Sequence, residues 1–329
     1  MKNKINRTLD VIENVYVSDD KPWYVAYSGG KDSTLVLLLI VEFLKKRKND
    51  KKIHIVYCDT GVEFPIMRDY TIGVLNNLDK IARIYNLPIE ILIAKPRIED
   101  SFFVNVIGKG YVPPSFMFRW CTNRLRTRPL QDVTKDKENI ILLGTRFDES
   151  TERNRTLKSN QVDSYIFRQR SYPNSTIFSP IIDYNVEEVW KSIETLNIDA
   201  IIDVEKLKFL YKGFSESNEQ NREILGGRYG CWVCTVVRRD KAGENLVKKG
   251  YAEINHLLSF RQLLLDLRND PSKRYPNRKT GEKGKGPFSL DTRKMILERL
   301  ILTEKQSGYK LIDEEEICFI KHLWENEDK

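Results

Sequence analysis

Short runs that are apolar at nearly every position alternate with amphipathic stretches through roughly the first two-thirds of the chain, and few folds tolerate that pattern. "WYVAYS" precedes a helical pattern reaching about Arg47, and "KIHIVYCDT" precedes another, "MRDYTIGVLNNLDKIARIYN". "IEILIAK", "NIILLGT" and "TIFSPIID" read as three further strands. Strands apolar on both faces, spaced by helices, imply an α/β fold whose parallel sheet carries helices on both sides. Ligands of such sheets bind beyond the carboxyl ends of the strands, and the polar stretches "SGGKDS", "CDTGVEFP" and "GTRFDES" all fall at such ends.

The pattern changes near Asp203 to helices and loops. The expected organisation is a nucleotide-type α/β domain over residues 1–202 and a smaller helical C-terminal subdomain over 203–329 that carries a Cys-x-x-Cys and a basic loop. Between Arg268 and Lys285 there are seven Lys or Arg against two acids, broken by Pro and Gly, which predicts an exposed, mobile segment. "LIDEEEICFIKHLWE" reads as a packing helix with Cys318 as a small buried apolar residue. No internal repeat is visible.

The chain of 329 residues is 40% hydrophobic, enough for a sizeable core. Its first twenty residues lack a secretory pattern and no apolar run is long enough to cross a bilayer, so a cytoplasmic location and no membrane partner are expected. Five scattered cysteines, with one C-x-x-C pair, argue against a disulfide framework and turn attention to metal or redox chemistry. A net charge of +8 favours an anionic partner without choosing one. His54, His256 and His322 lie far apart in ordinary contexts, so no Ser-His-Asp arrangement is expected.

The stretch Ser28-Gly29-Gly30-Lys31-Asp32-Ser33-Thr34 sits between a strand and a helix. Adjacent glycines let the backbone approach an anion, and the helix offers free N–H groups with a partial positive charge. Lys31 adds a point charge and the Ser28, Ser33 and Thr34 hydroxyls can donate to phosphate oxygens. The spacing does not fit the Walker A pattern, whose lysine follows a single glycine at the end of a longer loop.

These residues carry a resemblance. "SGGKDS" resembles the PP-loop of ATP pyrophosphatases, and "DTGVEFP", "WCTNRLR", "GTRFDESTER" and "SPIIDYNVEEVW" follow in the order seen in the phosphoadenosine-phosphosulfate reductase family. "YGCWVCTVVRRDKAGENLV" and "GPFSLDTRKMILERL" are similar to DndC-type DNA sulfur-modification (phosphorothioation) proteins, with SspD-type proteins sharing the core. The resemblance spans about residues 20 to 325 and implies a Rossmann-like, adenine nucleotide α-hydrolase-like fold. It also implies an enzyme that splits ATP into AMP and pyrophosphate. Adenylation of a DNA phosphate oxygen would make it a leaving group for sulfur supplied by a cysteine desulfurase, with other modification proteins and DNA as partners.

On this reading Ser28, Gly29, Gly30, Lys31, Asp32, Ser33 and Thr34 cradle ATP together with Asp59 and Gly144, and Asp32 helps to hold Mg²⁺. Arg146, Glu149 and Arg153 join Lys31, Asp32 and Asp59 as candidate catalytic residues, the arginines taking phosphate oxygens and the glutamate orienting one of them. Cysteines in the resembled family bind a [4Fe-4S] cluster, here by Cys121, Cys231 and Cys234. Thiolates without histidine suit iron–sulfur better than zinc. The fourth family cysteine is absent, with Ala242 in its neighbourhood, which leaves three readings: a three-thiolate cluster with an open iron (favoured), completion by a remote cysteine such as Cys58, or no cluster. Cys58 could also receive a persulfide sulfur, although a buried cysteine is the commoner reason for its place.

Arg119, Arg124, Arg126 and Arg128, with Lys273, Arg274 and Arg278, form the expected nucleic-acid track. The rival activities are reduction of adenylylsulfate or phosphoadenylylsulfate, disfavoured because the chain ends "HLWENEDK" without a tail cysteine, and a non-catalytic nucleotide-binding scaffold. DndC-type proteins are often longer than this chain.

Overall fold

The computed structural model describes residues 1–18, 20–47, 51–135, 137–147, 159–197, 199–214, 230–277 and 285–327. Six strands form one sheet: β1 (Trp23–Tyr27), β2 (Ile53–Cys58), β3 (Ile89–Ala94), β4 (Asn139–Leu142), β5 (Ile166–Phe167) and β6 (Ser175–Phe178). Their order is β3-β2-β1-β4-β6-β5. All pairings are parallel except that of the short edge strand β5 with β6. The five longer strands match the five apolar runs. Succession runs outward from β1 to β3, then jumps back to β4 on the other side of β1. The reversal puts a crevice above the β1–β4 pair, with the loops after both strands on its rim.

Helix α1 (Lys2–Val17) presents Ile5, Leu9, Ile12 and Tyr16 to the core, an i, i+4, i+7, i+11 stripe. The Tyr16 ring meets the buried Trp23 ring edge-on at 5.1 Å. Helix α2 (Lys31–Lys46) is apolar all round because it is covered on every side, and both its ends carry matching charge: Asp32 in the first turn, Lys45 and Lys46 in the last. Helix α3 (Pro65–Ile84) follows β2. A helical stretch then runs from α4 (Trp120–Thr122) through a π-type turn (Asn123–Thr127) into α5 (Arg128–Thr134). Helix α6 (Val186–Leu196) starts at a capping box of Asn185 and Glu188.

Helices α7 (Val204–Phe214), α8 (Lys241–Lys248), α9 (Ile254–Asn269), α10 (Leu290–Ser307) and α11 (Glu314–Glu325) complete the described chain. Their apolar faces, including Leu207, Phe260, Leu300 and Ile320, join the same buried cluster as Val25 and Leu142 of the sheet. Cys318 corrects one expectation: it is exposed, because α11 turns only Ile320 fully inward and Cys318 falls on another face. Residues 278–284 of the basic segment lie outside the described residues; before them, Arg268 donates to the carbonyls of Pro114 and Thr235, and Arg274 to those of Gly286 and Lys285. None of the described helices is long and apolar enough to cross a membrane.

Candidate active site

The loop between β1 and α2 is shaped by its glycines. Gly29 has φ +73°, and a Cβ there would lie 2.1 Å from Thr71 Oγ1. Ser33 Oγ ties the turn by donating to Gly30 O at 2.9 Å and accepting from Ser28 N at 3.2 Å. The backbone N–H of Lys31 points out of the helix start and donates to the Tyr211 hydroxyl at 2.9 Å. Gly144, on the loop after β4, packs so closely that its Cβ would sit 2.7 Å from backbone atoms of Asp32 and Ser33.

Charge is concentrated at the same place. Lys31 and Arg146 are both buried, and they hold Asp32 between them: Lys31 Nζ lies 3.0 Å from Oδ2 and Arg146 Nε lies 2.7 Å from Oδ1. Arg146 is held from its other end by the carbonyl of Tyr184. Both Asp32 oxygens are thus engaged by cations. Oxygen donors suited to magnesium are that carboxylate, after exchange of one cation, and the Ser28 and Ser33 hydroxyls.

A cavity of about 390 Å³ opens at the β1–β4 crevice. Its lining includes Ser28, Gly30, Lys31, Asp32 and Ser33 of the loop, Gly144 after β4, and Cys58, Glu63, Arg68 and Arg126. Gly29, Thr34, Asp59 and Arg146 are not part of the lining. Thr34 is fully buried below the loop next to Tyr27, where it cannot reach a ligand. Asp59 is buried too. It accepts from Arg68 Nε and Nη2, the latter at 2.8 Å, and from Gly61 N, and so fixes the loop after β2 rather than facing the cavity. Glu149 and Arg153 lie outside the described residues.

Beside Cys58, expected near the nucleotide, the cavity lining holds Tyr57 and Glu63, which are not among the expected site residues. The Tyr57 hydroxyl donates to Glu63 Oε2 at 3.0 Å, and burial raises the Glu63 carboxyl above its ordinary range against the pull of Arg126 and Tyr57. Burial pushes the Cys58 thiol up to about 11, with Arg126 opposing. Glu63 forms a β-bridge with Cys231, and Trp232 N donates to Val62 O, which ties the C-x-x-C segment to the nucleotide rim. Glu63 stood in the "DTGVEFP" motif and Arg68 one turn into α3, so both had a local signal. Tyr211 had none.

Cys121, Cys231 and Cys234 sense one another: burial raises Cys121 and also Cys231, the latter to about 12, and each is raised further by Cys234. Arg126 lies among them and is held protonated against burial chiefly by Cys231. Three thiols without histidine suit a soft metal centre. As they stand they are not closed on one: among the described residues no group of three or more His, Cys, Asp or Glu has metal-holding geometry. Of the expected nucleic-acid track, Arg128 pairs with Asp100 at 2.8 Å. Arg124 is tied to Asn105 and to the Tyr111 hydroxyl. Arg119 is exposed, and Arg126 faces the cavity. Lys273 and Arg274 are half-buried; Arg278 lies outside the described residues.

The model of the phosphoadenosine phosphosulfate reductase domain matches residues 22–236, about two-thirds of the chain. This chain belongs to that family. An uncharacterized protein of Methanocaldococcus jannaschii is 28% identical over 255 residues, covering 77% of this family member but 44% of that protein, so the chain spans less than half the length of that relative. Similar solved structures include a phosphoadenylyl-sulfate reductase from Candida auris in a phosphate complex (16% identity, 66% of this chain and 90% of that one, TM-score 0.40). They also include the U34-tRNA thiolase NcsA from Methanococcus maripaludis with its [4Fe-4S] cluster (16% identity, 80% and 78%, TM-score 0.37).

Proposed function

We propose that this member of the phosphoadenosine phosphosulfate reductase family is a DndC-type ATP pyrophosphatase that activates DNA for sulfur incorporation. The observation that supports the reading is that the PP-loop-like turn and Cys58 line one cavity, with the C-x-x-C segment bridged to its rim at Glu63. Nucleotide activation and sulfur delivery then share a site. The loop N–H groups and Lys31 neutralise the triphosphate while Arg146, behind the loop, holds Asp32 in place; Asp32, Ser28 and Ser33 would hold Mg²⁺, which would supply further neutralising charge.

A non-bridging oxygen of the DNA phosphodiester attacks the α-phosphorus, forming a P–O–P bond as pyrophosphate leaves. Hydrosulfide then attacks the DNA phosphorus, a P–S bond forms, and AMP departs with the original oxygen. The sulfur originates on a cysteine desulfurase as a persulfide, and a thiol reductant supplies the two electrons that release it. Cys121, Cys231 and Cys234 would hold a [4Fe-4S] cluster, which supplies an iron able to bind sulfide.

The deciding experiment incubates anaerobically purified protein with ATP, DNA, a cysteine desulfurase and cysteine. It measures AMP, pyrophosphate and, after nuclease digestion, phosphorothioate dinucleotides by mass spectrometry. All three are expected, and all should be lost in Lys31→Ala and Asp32→Asn. Sulfite released from adenylylsulfate or its 3′-phosphorylated form would identify a reductase instead, and tight ATP binding without AMP would leave a scaffold. Iron and acid-labile sulfide of about four each per chain, lost on replacing any of the three cysteines, would support the cluster.

A further inference from the structure

Three consecutive large apolar side chains stand in solvent at one turn: Phe116 (68% exposed), Met117 (89%) and Phe118 (49%). Burial of side chains this size is strongly favourable, so a run of three left exposed on a structured turn marks a contact surface. The turn is closed by reciprocal backbone hydrogen bonds between Ser115 and Phe118, both 3.2 Å. Its base is fixed. The Pro114 carbonyl accepts from Thr235 Oγ1 at 2.6 Å and Arg268 Nη1 at 2.8 Å, and Trp120 Nε1 donates to Val112 O at 3.0 Å. Withdrawing the three side chains into the core would break these bonds.

The surroundings of the turn indicate what it meets. The Arg119 guanidinium lies 4.9 Å from the Phe116 ring centre. Behind Phe118 is a second cavity, about 190 Å³, lined by Tyr111, Arg274 and Lys285 among others, and no acidic residue is in its lining. Exposed aromatic rings beside cations, with no carboxylate in the lining of the adjoining cavity, complement a nucleic-acid strand that offers a base to stack on and phosphates to neutralise. The chain leads from this turn directly into the helical stretch whose Arg126 lines the nucleotide cavity.

The depth of the site supplies the need. Lys31, which lines the cavity of about 390 Å³, is only 4% exposed. A base-paired duplex is too wide to enter such a space, so a backbone phosphate that reaches the loop must come from a strand locally separated from its partner. We propose that the Phe116-Met117-Phe118 turn is a wedge that stacks on an unpaired base, while Arg119, Arg274 and Lys285 hold the flanking phosphates. The wedge presents the strand to the nucleotide cavity. It rests on the reading of the substrate as DNA and adds that the form engaged is single-stranded or locally opened.

The test uses the full chain with a fluorescein-labelled single-stranded oligonucleotide, the matching duplex, and a duplex carrying 2-aminopurine. The triple variant Phe116→Ala, Met117→Ala, Phe118→Ala should bind the single strand about tenfold or more weakly, the loss expected for one or two stacked bases. The 2-aminopurine brightening seen with the wild type should vanish. Melting temperature and DNA-independent ATP turnover should not change. Phe116→Trp should keep the affinity and Phe116→Leu should not, which separates stacking from mere apolar contact.

A triple variant that binds and brightens like the wild type overturns the wedge, and it leaves the proposed activity standing if DNA still stimulates ATP turnover. A triple variant that keeps DNA binding but loses a cysteine desulfurase from its complex makes the turn a protein contact and overturns the wedge. A wild type that neither binds DNA nor responds to it removes the DNA reading and the wedge with it.

Discussion

The Tyr211 hydroxyl accepts the backbone N–H of Lys31 at 2.9 Å, so a side chain from α7 occupies one of the donors that the loop would offer to a phosphate. Tyr211 is fully buried, and its ring lies 5.1 Å from Lys31 Nζ. An incoming phosphate has to exchange with this hydroxyl. In Tyr211→Phe the Lys31 N–H is left without its partner in the empty protein, at a cost of about 1–3 kcal/mol, and a bound phosphate restores it. The variant should therefore melt lower than wild type without nucleotide and show a larger ATP-induced rise in melting temperature. An unchanged rise in differential scanning fluorimetry would show that phosphate and hydroxyl do not compete.

Gly144 is the point where two strand-end loops touch. A methyl group there meets the backbone of Asp32 and Ser33, which has no rotamer by which to move aside. Gly144→Ala should lose about 1–3 kcal/mol of stability in urea unfolding, the usual cost of overpacking. Its ATP affinity by calorimetry should fall more than tenfold, because the loop that cradles phosphate must shift. Retention of wild-type affinity would place the nucleotide elsewhere.

Arg68 pairs in a two-pronged fashion with Asp59, whose side chain is only 4% exposed, while Arg68 itself is 44% exposed. Arg68→Met strands a buried carboxylate. The loss should be about 2 kcal/mol, below the usual figure for fully buried pairs because water reaches this side of the pair. Asp59→Asn, which keeps hydrogen-bond capacity, should lose less. Equal urea midpoints for Arg68→Met and wild type would contradict the pairing.

Cys58 gives a pH signature. The thiolate is the reactive form, and with the thiol pushed up to about 11 it is scarce at neutral pH. Its alkylation by iodoacetamide, followed by peptide mass spectrometry, should rise about tenfold per pH unit from pH 7 through about pH 10. Arg126 holds the value down, so Arg126→Met should slow the reaction further at every pH in that window. A plateau near pH 9 would mean that Cys58 is not buried as described.

The sequence revealed whatever local pattern encodes. The five apolar runs became the five longer strands, and the glycine-rich turn fell where strand order reverses, because the rule that sets strand burial also sets where loops collect. The antiparallel β5 was too short, at two residues, to leave a periodic trace. The amphipathic stripe of α1 was present in the sequence but read only for targeting signals. What could not be read was pairing at a distance. Asp59 reads as a rim carboxylate and is held by Arg68, and of the two cations that clasp Asp32, the expected magnesium ligand, Arg146 comes from far along the chain. Tyr211 meets Lys31 only because the chain brings α7 to the start of α2, a fact with no local cause.

The bridge between Glu63 and Cys231 joins two strands of chain that are distant in sequence through main-chain atoms alone. Pairing of this kind places no demand on side-chain identity, so the backbone alone registers the C-x-x-C segment against the nucleotide rim, and the side chains of Glu63 and Cys231 are left to make their own contacts.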